Sequence, residues 1–352
     1  IPAFTPVLLN LALISCAIWL APQLSEPIVA LAWGVLIAGV VQLIFQFPFL
    51  MRLRLFPLPG FNRDREGVSR IMKLMLPTLF AVSITQINLL VDTIIASFLT
   101  TGSISWLYFS DRLVEFPMGV FGVALATVIL PSLSRQFASG SQQGYSETMD
   151  WALRMVFLIA IPAALGLTLL AEAMLTTLFQ YNEFSEQDVT MSAKSLMAYS
   201  LGLPAFIFIK VLASGFFSRQ DTVTPVKIGV VAMLSNIILN LALVGPLAHA
   251  GLALATSLSA FINAGLLYYF LHKRGNYSPA SGWPAYLLKL GLAVAAMAAL
   301  LEYFAPDISI WLDWDIFQRA LNLALWVVAG AICYFISLLI LGIRPNQMTA
   351  PH

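Results

Sequence analysis

Long apolar runs separated by short polar connections dominate this 352-residue chain. A helix needs about 20 mainly apolar residues to cross the hydrocarbon core of a bilayer. The pattern predicts ten membrane-spanning helices, at 4–22, 28–50, 71–98, 103–134, 151–178, 189–216, 224–244, 250–272, 284–304 and 318–342. The predicted fold class is therefore all-α, a polytopic helical membrane protein.

The connections between these spans alternate in charge. One side carries basic residues, namely Arg52, Arg54, Arg63, Arg65, Arg70, Arg135, Arg219, Lys273, Arg274 and Arg344. The other side carries acidic residues, namely Glu26, Glu183, Glu186, Asp188, Asp307, Asp313 and Asp315. Lys and Arg accumulate in cytoplasmic loops, so the basic side and the C-terminus are predicted to face the cytoplasm.

The composition supports a membrane protein and excludes several other classes. Hydrophobic residues make up 60% of the chain and charged residues 10%, whereas soluble domains average about 25% charged residues. The net charge of +1 provides no overall attraction for nucleic acid. Walker loops, His-Glu-x-x-His and Cys-x-x-Cys motifs are missing from the sequence, which argues against nucleotide-driven transport and metal-dependent hydrolysis.

Three charged residues, Asp111, Arg112 and Glu115, interrupt the fourth span. Their spacing places them on one helix face, and Arg112 lies about 13 Å from the outer end at 1.5 Å per residue. Charge at this depth costs about 2.5–3.5 kcal/mol on insertion scales and usually faces a wet cavity. A guanidinium binds phosphate in a bidentate manner, so the cluster predicts a cationic grip on a polyanionic or zwitterionic cargo, with both carboxylates positioning Arg112. The alternative is a structural ion pair that joins helices.

Oxygen-bearing side chains form a second candidate cluster in the outer part of the membrane. Asp92, Asn236, Asn240 and Thr256 all lie at similar predicted depth. Hard cations prefer such ligands, so the cluster is a candidate cation site, and no other cofactor is expected. A polar contact between helices is the competing interpretation.

Two further basic residues are candidates for contact with an anionic substrate. Lys210 lies about seven residues from the cytoplasmic end of its span, and Arg219 follows in the next loop. Lys210 provides a second cation at the inner mouth if it faces the substrate path, but snorkelling also explains it. Arg219 could meet the anionic headgroup or the inner leaflet.

An internal repeat predicts the domain organisation. Segment 218–271 resembles segment 1–50 at an offset of 219 to 221 residues, and both copies start on the same side of the membrane. The expected architecture is fourteen helices in two six-helix lobes plus a terminal pair, with the first four helices preceding this chain. The predicted parts are 1–50, the last two helices of the N-terminal lobe; 51–70, a basic cytoplasmic loop; 71–273, a six-helix lobe; and 283–342, an additional helix pair.

Segments 1–10, 110–117 and 217–227 resemble the MurJ (MviN) lipid II flippases of the multidrug/oligosaccharidyl-lipid/polysaccharide exporter superfamily, Gram-negative members above all. The resemblance implies alternating access that carries lipid II from the inner to the outer leaflet of the bacterial cytoplasmic membrane. It matches the family's essential cavity arginine and glutamate to Arg112 and Glu115, and a sodium site to Asp92, Asn236, Asn240 and Thr256. It also implies that the last helix pair extends a groove for the polyprenyl tail.

Other functions remain open from the sequence. A flippase for another polyprenyl-linked oligosaccharide or a drug/cation antiporter would share the superfamily fold, although drug export favours carboxylates over Arg112. An integral-membrane enzyme acting on polyprenyl-phosphate sugars needs a larger outer loop. A structural bundle that binds cell-wall synthesis partners is the last alternative. The expected partners are lipid II and membrane lipids, without nucleic acid.

Overall fold

The structure is a computed structural model that describes residues 4–52, 72 and 83–343. Most of the predicted basic loop, the start of the third predicted span and Arg344 lie outside the described residues. In the described part every regular element is helical, which agrees with the all-α prediction. Eight helical segments there are long and apolar enough to cross a membrane. The predicted count of ten spans, the four preceding helices and the domain bounds stay predictions.

The helices are numbered in chain order. They are α1 (Thr5–Ser15), α2 (Ile28–Arg52), α3 (Ser83–Ser97), α4 (Ser103–Pro117), α5 (Ala124–Ala138), α6 (Gln142–Leu169), α7 (Ala171–Phe179), α8 (Glu186–Phe217), α9 (Val223–Lys273), α10 (Trp283–Phe304), α11 (Ile308–Asp313) and α12 (Ile316–Ile340). A π-helical and a 3-10 segment, Cys16–Leu20 and Ala21–Gln23, continue α1, and a π-helical segment, Met118–Val123, joins α4 to α5.

The chain divides into a first unit, Ile1–Arg70, and a second unit, Ile71–His352. In the first unit, α1 and α2 form a hairpin along a stripe of small residues, Ala30, Gly34 and Ala38, which are buried. A Cβ at Gly34 would lie 3.1 Å from Leu13 Cδ2, so glycine lets the two backbones approach closely, as is common between membrane helices.

In the second unit, α8 is the central helix. Its buried residues lie on all sides, as expected of a helix surrounded by others. Its start is fixed by a capping box in which the Ser185 hydroxyl accepts from the Asp188 N–H and the Asp188 carboxylate accepts from the Ser185 N–H. Gly202 allows α8 to lie against α9, because a Cβ there would come within 2.8 Å of Ser257 Cα.

The last helix pair, α10 and α12, packs on α6 through a separate apolar cluster. Leu158 of α6, Met297 of α10 and Tyr334 of α12 are all buried in it. The Tyr334 hydroxyl also donates to the Leu158 carbonyl at 2.7 Å. These contacts attach the pair to the second unit.

The predicted spans differ from the helices in three places. The predicted span 151–178 is wrong as a single helix, because α6 begins at Gln142 and a break at Leu170 separates it from α7. The spans 224–244 and 250–272 are the two halves of α9, which are separated by Ala248 at φ 49° and ψ −132°. The span 103–134 contains the π-helical segment Met118–Val123, which directly follows Pro117.

Candidate transport site

The charged cluster of the fourth predicted span lies on α4. Arg112 pairs with Glu115 on the next turn, with Nη1 2.5 Å from Oε2. The Arg112 guanidinium also lies over the ring of Tyr108, 4.9 Å from its centroid. A carboxylate one turn after Arg112 and an aromatic ring one turn before it thus hold the guanidinium along one face of α4.

The Arg112–Glu115 pair is not sealed in a dry contact. The side chains of Arg112 and Glu115 are 51% and 43% exposed within the chain. Arg112 lines the rim of a groove of about 740 Å³, whose walls come from α4, α6, α7, α10 and α12 and are otherwise almost wholly apolar. We call this the α6–α12 groove. The guanidinium therefore retains access to a ligand beside an apolar channel.

Asp111 was predicted to position Arg112 together with Glu115. Its side chain is partly buried, and within the described part of the chain it makes no ion pair with Arg112. Of the two carboxylates expected to position the guanidinium, the structure brings only Glu115 into contact. The substrate-binding roles of Asp111, Arg112 and Glu115 stay predictions.

The second cluster assembles as a connected polar network between α3 and α9. Asn240 donates from Nδ2 to Asp92 Oδ1 at 2.6 Å and to Asn236 Oδ1 at 3.0 Å. Asn236 donates to Thr256 Oγ1 at 3.3 Å, and Thr256 in turn donates to Asp92 Oδ2 at 3.4 Å. The four predicted residues, from three predicted spans, therefore form one hydrogen-bonded network around the Asp92 carboxylate, and their role as cation ligands stays a prediction.

Two buried oxygen atoms at or near this network bear on whether it could hold a cation. Asn240 Oδ1 and Asn88 Oδ1 are buried and have no hydrogen-bond partner among the described residues. An unpaired buried acceptor costs free energy unless something satisfies it. One carboxylate with neutral amide and hydroxyl oxygens suits a hard monovalent cation. Asn88 was not predicted, although its position four residues before Asp92 places both on one face of α3.

Lys210 and Arg219 lie in different environments. Lys210 lies on α8 against the π-helical segment, where a Cβ at Gly122 would come within 3.3 Å of Lys210 Cδ. Arg219 lies in the α8–α9 loop, donating to Asn276 Oδ1 at 2.6 Å and stacking on Tyr145, 4.5 Å from the ring centroid. Arg219 thus joins loops to one another, and its contact with a headgroup stays a prediction.

Two further charged residues had no signal in the sequence. Asp150 of α6 accepts hydrogen bonds at Oδ1 from the Tyr277 hydroxyl, the Ala280 N–H and the Trp283 indole, at 2.8, 3.0 and 2.7 Å. Its Oδ2 lies 2.8 Å from Arg154 Nε. Tyr277, Ala280 and Trp283 lie more than 120 residues away in sequence, so spacing alone could not reveal the contacts.

The second residue is Arg319 of α12, which is buried. Its guanidinium donates to the carbonyls of Trp311, Leu312 and Thr176 at 2.9, 3.0 and 3.4 Å. These carbonyls belong to the last turns of α11 and α7, where helix dipoles favour a cation. Arg319 is thus a structural clamp.

The helices and this site define a multi-pass membrane protein with a transporter fold. Among solved structures, a lipid II flippase MurJ in an inward closed conformation resembles it with a TM-score of 0.76 and 24% identity, covering 96% of this chain and 67% of the other. A MATE structure resembles it with a TM-score of 0.52 and 16% identity, covering 79% of this chain and 67% of the other. These likenesses concern the fold.

The sequence comparisons identify the family. The model of the lipid II flippase MurJ family matches residues 1–337. A probable lipid II flippase MurJ of Vibrio cholerae is 48% identical over 350 residues, which are 99% of this chain and 67% of that relative. One from Haemophilus influenzae is 46% identical over 352 residues, 98% of this chain and 69% of the relative. The chain therefore belongs to the MurJ lipid II flippase family, whose members are transporters rather than enzymes.

Proposed function

We propose that this chain carries lipid II across the cytoplasmic membrane as part of a flippase that works by alternating access. The Arg112–Glu115 pair carries the proposal, because it places a half-exposed guanidinium on the rim of an apolar groove. Arg112 would bind the pyrophosphate, and the bidentate fit compensates for part of its dehydration. No covalent step is required of any residue.

The α6–α12 groove suits the polyprenyl tail of the same substrate. Its wall runs along α6 and α12, where Leu158, Pro162 and Tyr334 contribute apolar surface. Gly330 lies in the same wall, and its missing side chain keeps α12 close to Leu301 of α10. A tail in this groove and a diphosphate at Arg112 would place the two parts of one lipid in adjacent parts of one site.

The other candidate functions have less support. An antiporter would share the fold, but the relatives at 48% and 46% identity are both probable lipid II flippases. Lys210 is the second cation we assign to the substrate path, since its ammonium has no partner among the described residues and charge at membrane depth is costly. We assign Arg219 to the loop contacts instead.

A bound sodium ion at the Asp92 network is the energy-coupling element that we propose. The orphan oxygens of Asn88 and Asn240 support it. Asp92, Asn236, Asn240 and Thr256 would hold the ion, and its binding would favour the packing of α3 against α9. The ion would supply only binding energy coupled to conformation.

The orientation and the cell-wall synthesis partners are part of the proposal as well. The basic loops support an orientation in the bacterial inner membrane with a cytoplasmic C-terminus, because Lys and Arg accumulate in cytoplasmic loops. A cysteine at Gly275, in the α9–α10 loop, should then react with an impermeant thiol reagent only in inside-out vesicles. Reaction in intact spheroplasts would reverse the orientation. Binding of cell-wall synthesis proteins stays an expectation from the sequence.

Replacing Arg112 tests the proposed function. In the full-length protein, Arg112→Ala should abolish rescue of a strain depleted of its flippase, and Arg112→Lys should restore part of it, because an ammonium keeps the charge without the fork. Lys194→Ala is the matched control, since within the described residues the one hydrogen bond of the Lys194 ammonium goes to Met191 Sδ, at 3.9 Å. Normal growth with Arg112→Ala at equal membrane levels would refute the grip on the pyrophosphate.

A further inference from the structure

A second groove lies in the second unit, on the other face of α6. Its volume is about 1050 Å³, and its walls come from α6, α8, α9 and α10. On α6 it is lined by Leu153, Phe157 and Ile161, which recur at every fourth position and so share one face. The α6–α12 groove uses the opposite face, and Arg112 lines only that one. We call the second one the α8–α10 groove.

A buried carboxylate fixes one end of the α8–α10 groove. The residues Tyr277, Ala280 and Trp283 line this end, and all three donate to the same oxygen, Asp150 Oδ1. Such a fully bonded carboxylate locks the orientation of its donors. The end of the groove beside the α9–α10 loop is therefore a preformed mouth with aromatic walls.

Arg154 adds a positive charge beside this mouth, because it lies against Trp283, which lines the groove, although Arg154 itself is not a lining residue. Its Nε pairs with Asp150 Oδ2, and its Nη2 donates to the Ser281 carbonyl at 3.1 Å. The guanidinium lies over the rings of Trp283 and Tyr286, at 5.2 and 5.5 Å from their centroids. Its side chain is 28% exposed, and Nη1 has no partner among the described residues. One edge of the fork thus stays available to an anion.

The surroundings of the mouth are basic. Tyr268 lines the groove and stacks on His272 at 6.2 Å between ring centroids. Lys273 and Arg274 follow directly at the end of α9. Arg274 is paired with Asp221, so the positive charge that Lys273 adds at this end of α9, together with Arg154, is what favours an anionic lipid over a zwitterionic one.

The length of the groove matches a lipid chain. It runs along α6 from Leu153 to Thr168, about 22 Å at 1.5 Å per residue. Half of the hydrocarbon core of a bilayer is about 15 Å thick. An extended acyl chain entering at the mouth would therefore reach past the middle of the membrane within protein walls.

We propose that the α8–α10 groove binds an anionic phospholipid of the surrounding membrane, with its phosphate at Arg154 Nη1 and one acyl chain along α6. This site is separate from the one proposed for lipid II, because the two grooves lie on different faces of α6. The lipid would hold α10 against α6 and α8 by filling the space between them.

Photo-cross-linking in nanodiscs tests the proposal. The full-length protein is reconstituted with phosphatidylglycerol that carries a diazirine in its acyl chain, and labelled peptides are mapped by mass spectrometry. Label is expected on α6 and α8 around Phe157 and Leu201, and at least fivefold less of it with phosphatidylcholine of the same chain. Equal labelling by both lipids, or no label on these peptides, would overturn the proposal.

A filled groove provides the decisive variant. Gly265 lines the groove, and a Cβ there meets no atom within 4 Å, so Gly265→Trp should direct its indole into the groove and occupy part of the space proposed for the acyl chain. It should remove most of the label, whereas Gly39→Trp on α2, also free of neighbours within 4 Å, should not. Unchanged labelling of the filled variant would exclude the groove as the site.

Two further outcomes separate this site from the lipid II site. An excess of a lipid II analogue should leave the phosphatidylglycerol label unchanged, and Arg112→Ala should also leave it unchanged. Displacement by the analogue would mean that the groove belongs to the transport substrate, which would refute a separate phospholipid site. Arg154→Gln should lower the preference for the anionic lipid in a folded variant, whereas Arg154→Lys should retain it, and an unchanged preference in Arg154→Gln would place the phosphate elsewhere.

Discussion

Arg112 and Asp150 are both charged residues in the helices of the second unit, yet their surroundings differ. Asp150 is buried, with three hydrogen-bond donors on one oxygen and Arg154 beside the other. Arg112 has one carboxylate partner and an exposed fraction of 51%. A charged group whose hydrogen-bonding positions are all used by the protein stabilises the fold, and we call Asp150 such a filled site. A charged group beside a groove that keeps free hydrogen-bonding positions is available to a ligand, and we call Arg112 such an unfilled site.

The largest expected loss of stability follows from replacing Asp150, the filled site. Asp150→Ala should lower the free energy of unfolding by about 3–5 kcal/mol, because it leaves Arg154 and two aromatic donors unpaired. Thermal unfolding of the purified full-length protein measures it, with Glu147→Ala, one turn earlier on α6, as the control. A loss below about 1 kcal/mol would show that Asp150 is not structural in the sense proposed.

The sequence revealed these two sites to unequal degrees. Arg112 and Glu115 are three residues apart on one helix, so local spacing predicted their contact. The contacts of Asp150 require α6 and the α9–α10 loop to be packed first. In the same way, hydropathy located the membrane part of α6 but not its start at Gln142, because the first turns are polar. Position 170 carries no Pro or Gly signal, so the break between α6 and α7 was not predictable.

The Asp92 network is intermediate between these extremes, since Asn240 Oδ1 lacks a partner among the described residues, as does Asn88 Oδ1 one turn away on α3. If sodium fills the site, sodium at ten times its dissociation constant should stabilise the protein by about 1.4 kcal/mol, as mass action requires. Asp92→Asn should remove this shift and Asn88→Ala should reduce it, measured as the melting temperature in sodium against choline at equal ionic strength. Asn322→Ala, an exposed amide on α12, is the control.

A sodium-dependent shift that survives Asp92→Asn would place the ion elsewhere. A wild-type protein without any shift would make the network a polar helix contact, like the filled site of Asp150. The free energy lost by leaving these buried oxygens unpaired would then be offset by the contacts between α3 and α9.

Arg112, the unfilled site, should contribute little to the free energy of unfolding. Arg112→Ala should change the free energy of unfolding by less than about 1 kcal/mol, because exposed ion pairs contribute little. The same variant is expected to lose transport while the protein stays stable. At Asp150, by contrast, any loss of function should follow from the loss of stability. Denaturation in detergent measures the first quantity. A loss of several kcal/mol would reclassify Arg112 as a structural residue and weaken the proposed grip on the pyrophosphate.

The smallest effect is expected in the α8–α9 loop, where Asp221 pairs with Arg274 at 2.7 Å. Burial raises the pKa of Asp221, but hydrogen bonds from the Thr224 hydroxyl and N–H and from Arg274 outweigh it and leave the pKa below its ordinary value. A carboxyl with a lower pKa in the folded state stabilises the protein above its unfolded pKa of about 4, and this is lost as pH falls through the folded value.

Asp221→Asn should therefore cost a few tenths of a kcal/mol at pH 7, the usual range for a partly exposed pair, and almost nothing near pH 3. Comparing melting temperatures at the two pH values measures this, with Glu183→Gln in an exposed loop as the control. Asp221 has fewer hydrogen-bond and ion-pair partners in the protein than Asp150 but more than Arg112. The stability lost on replacing Asp221 should therefore lie between the losses at those two residues when the charge is what matters. An equal loss of stability at both pH values would mean that Asp221 acts through its shape in the loop rather than through its charge. The number of such partners of a charged residue would then not predict how much that residue stabilises the protein.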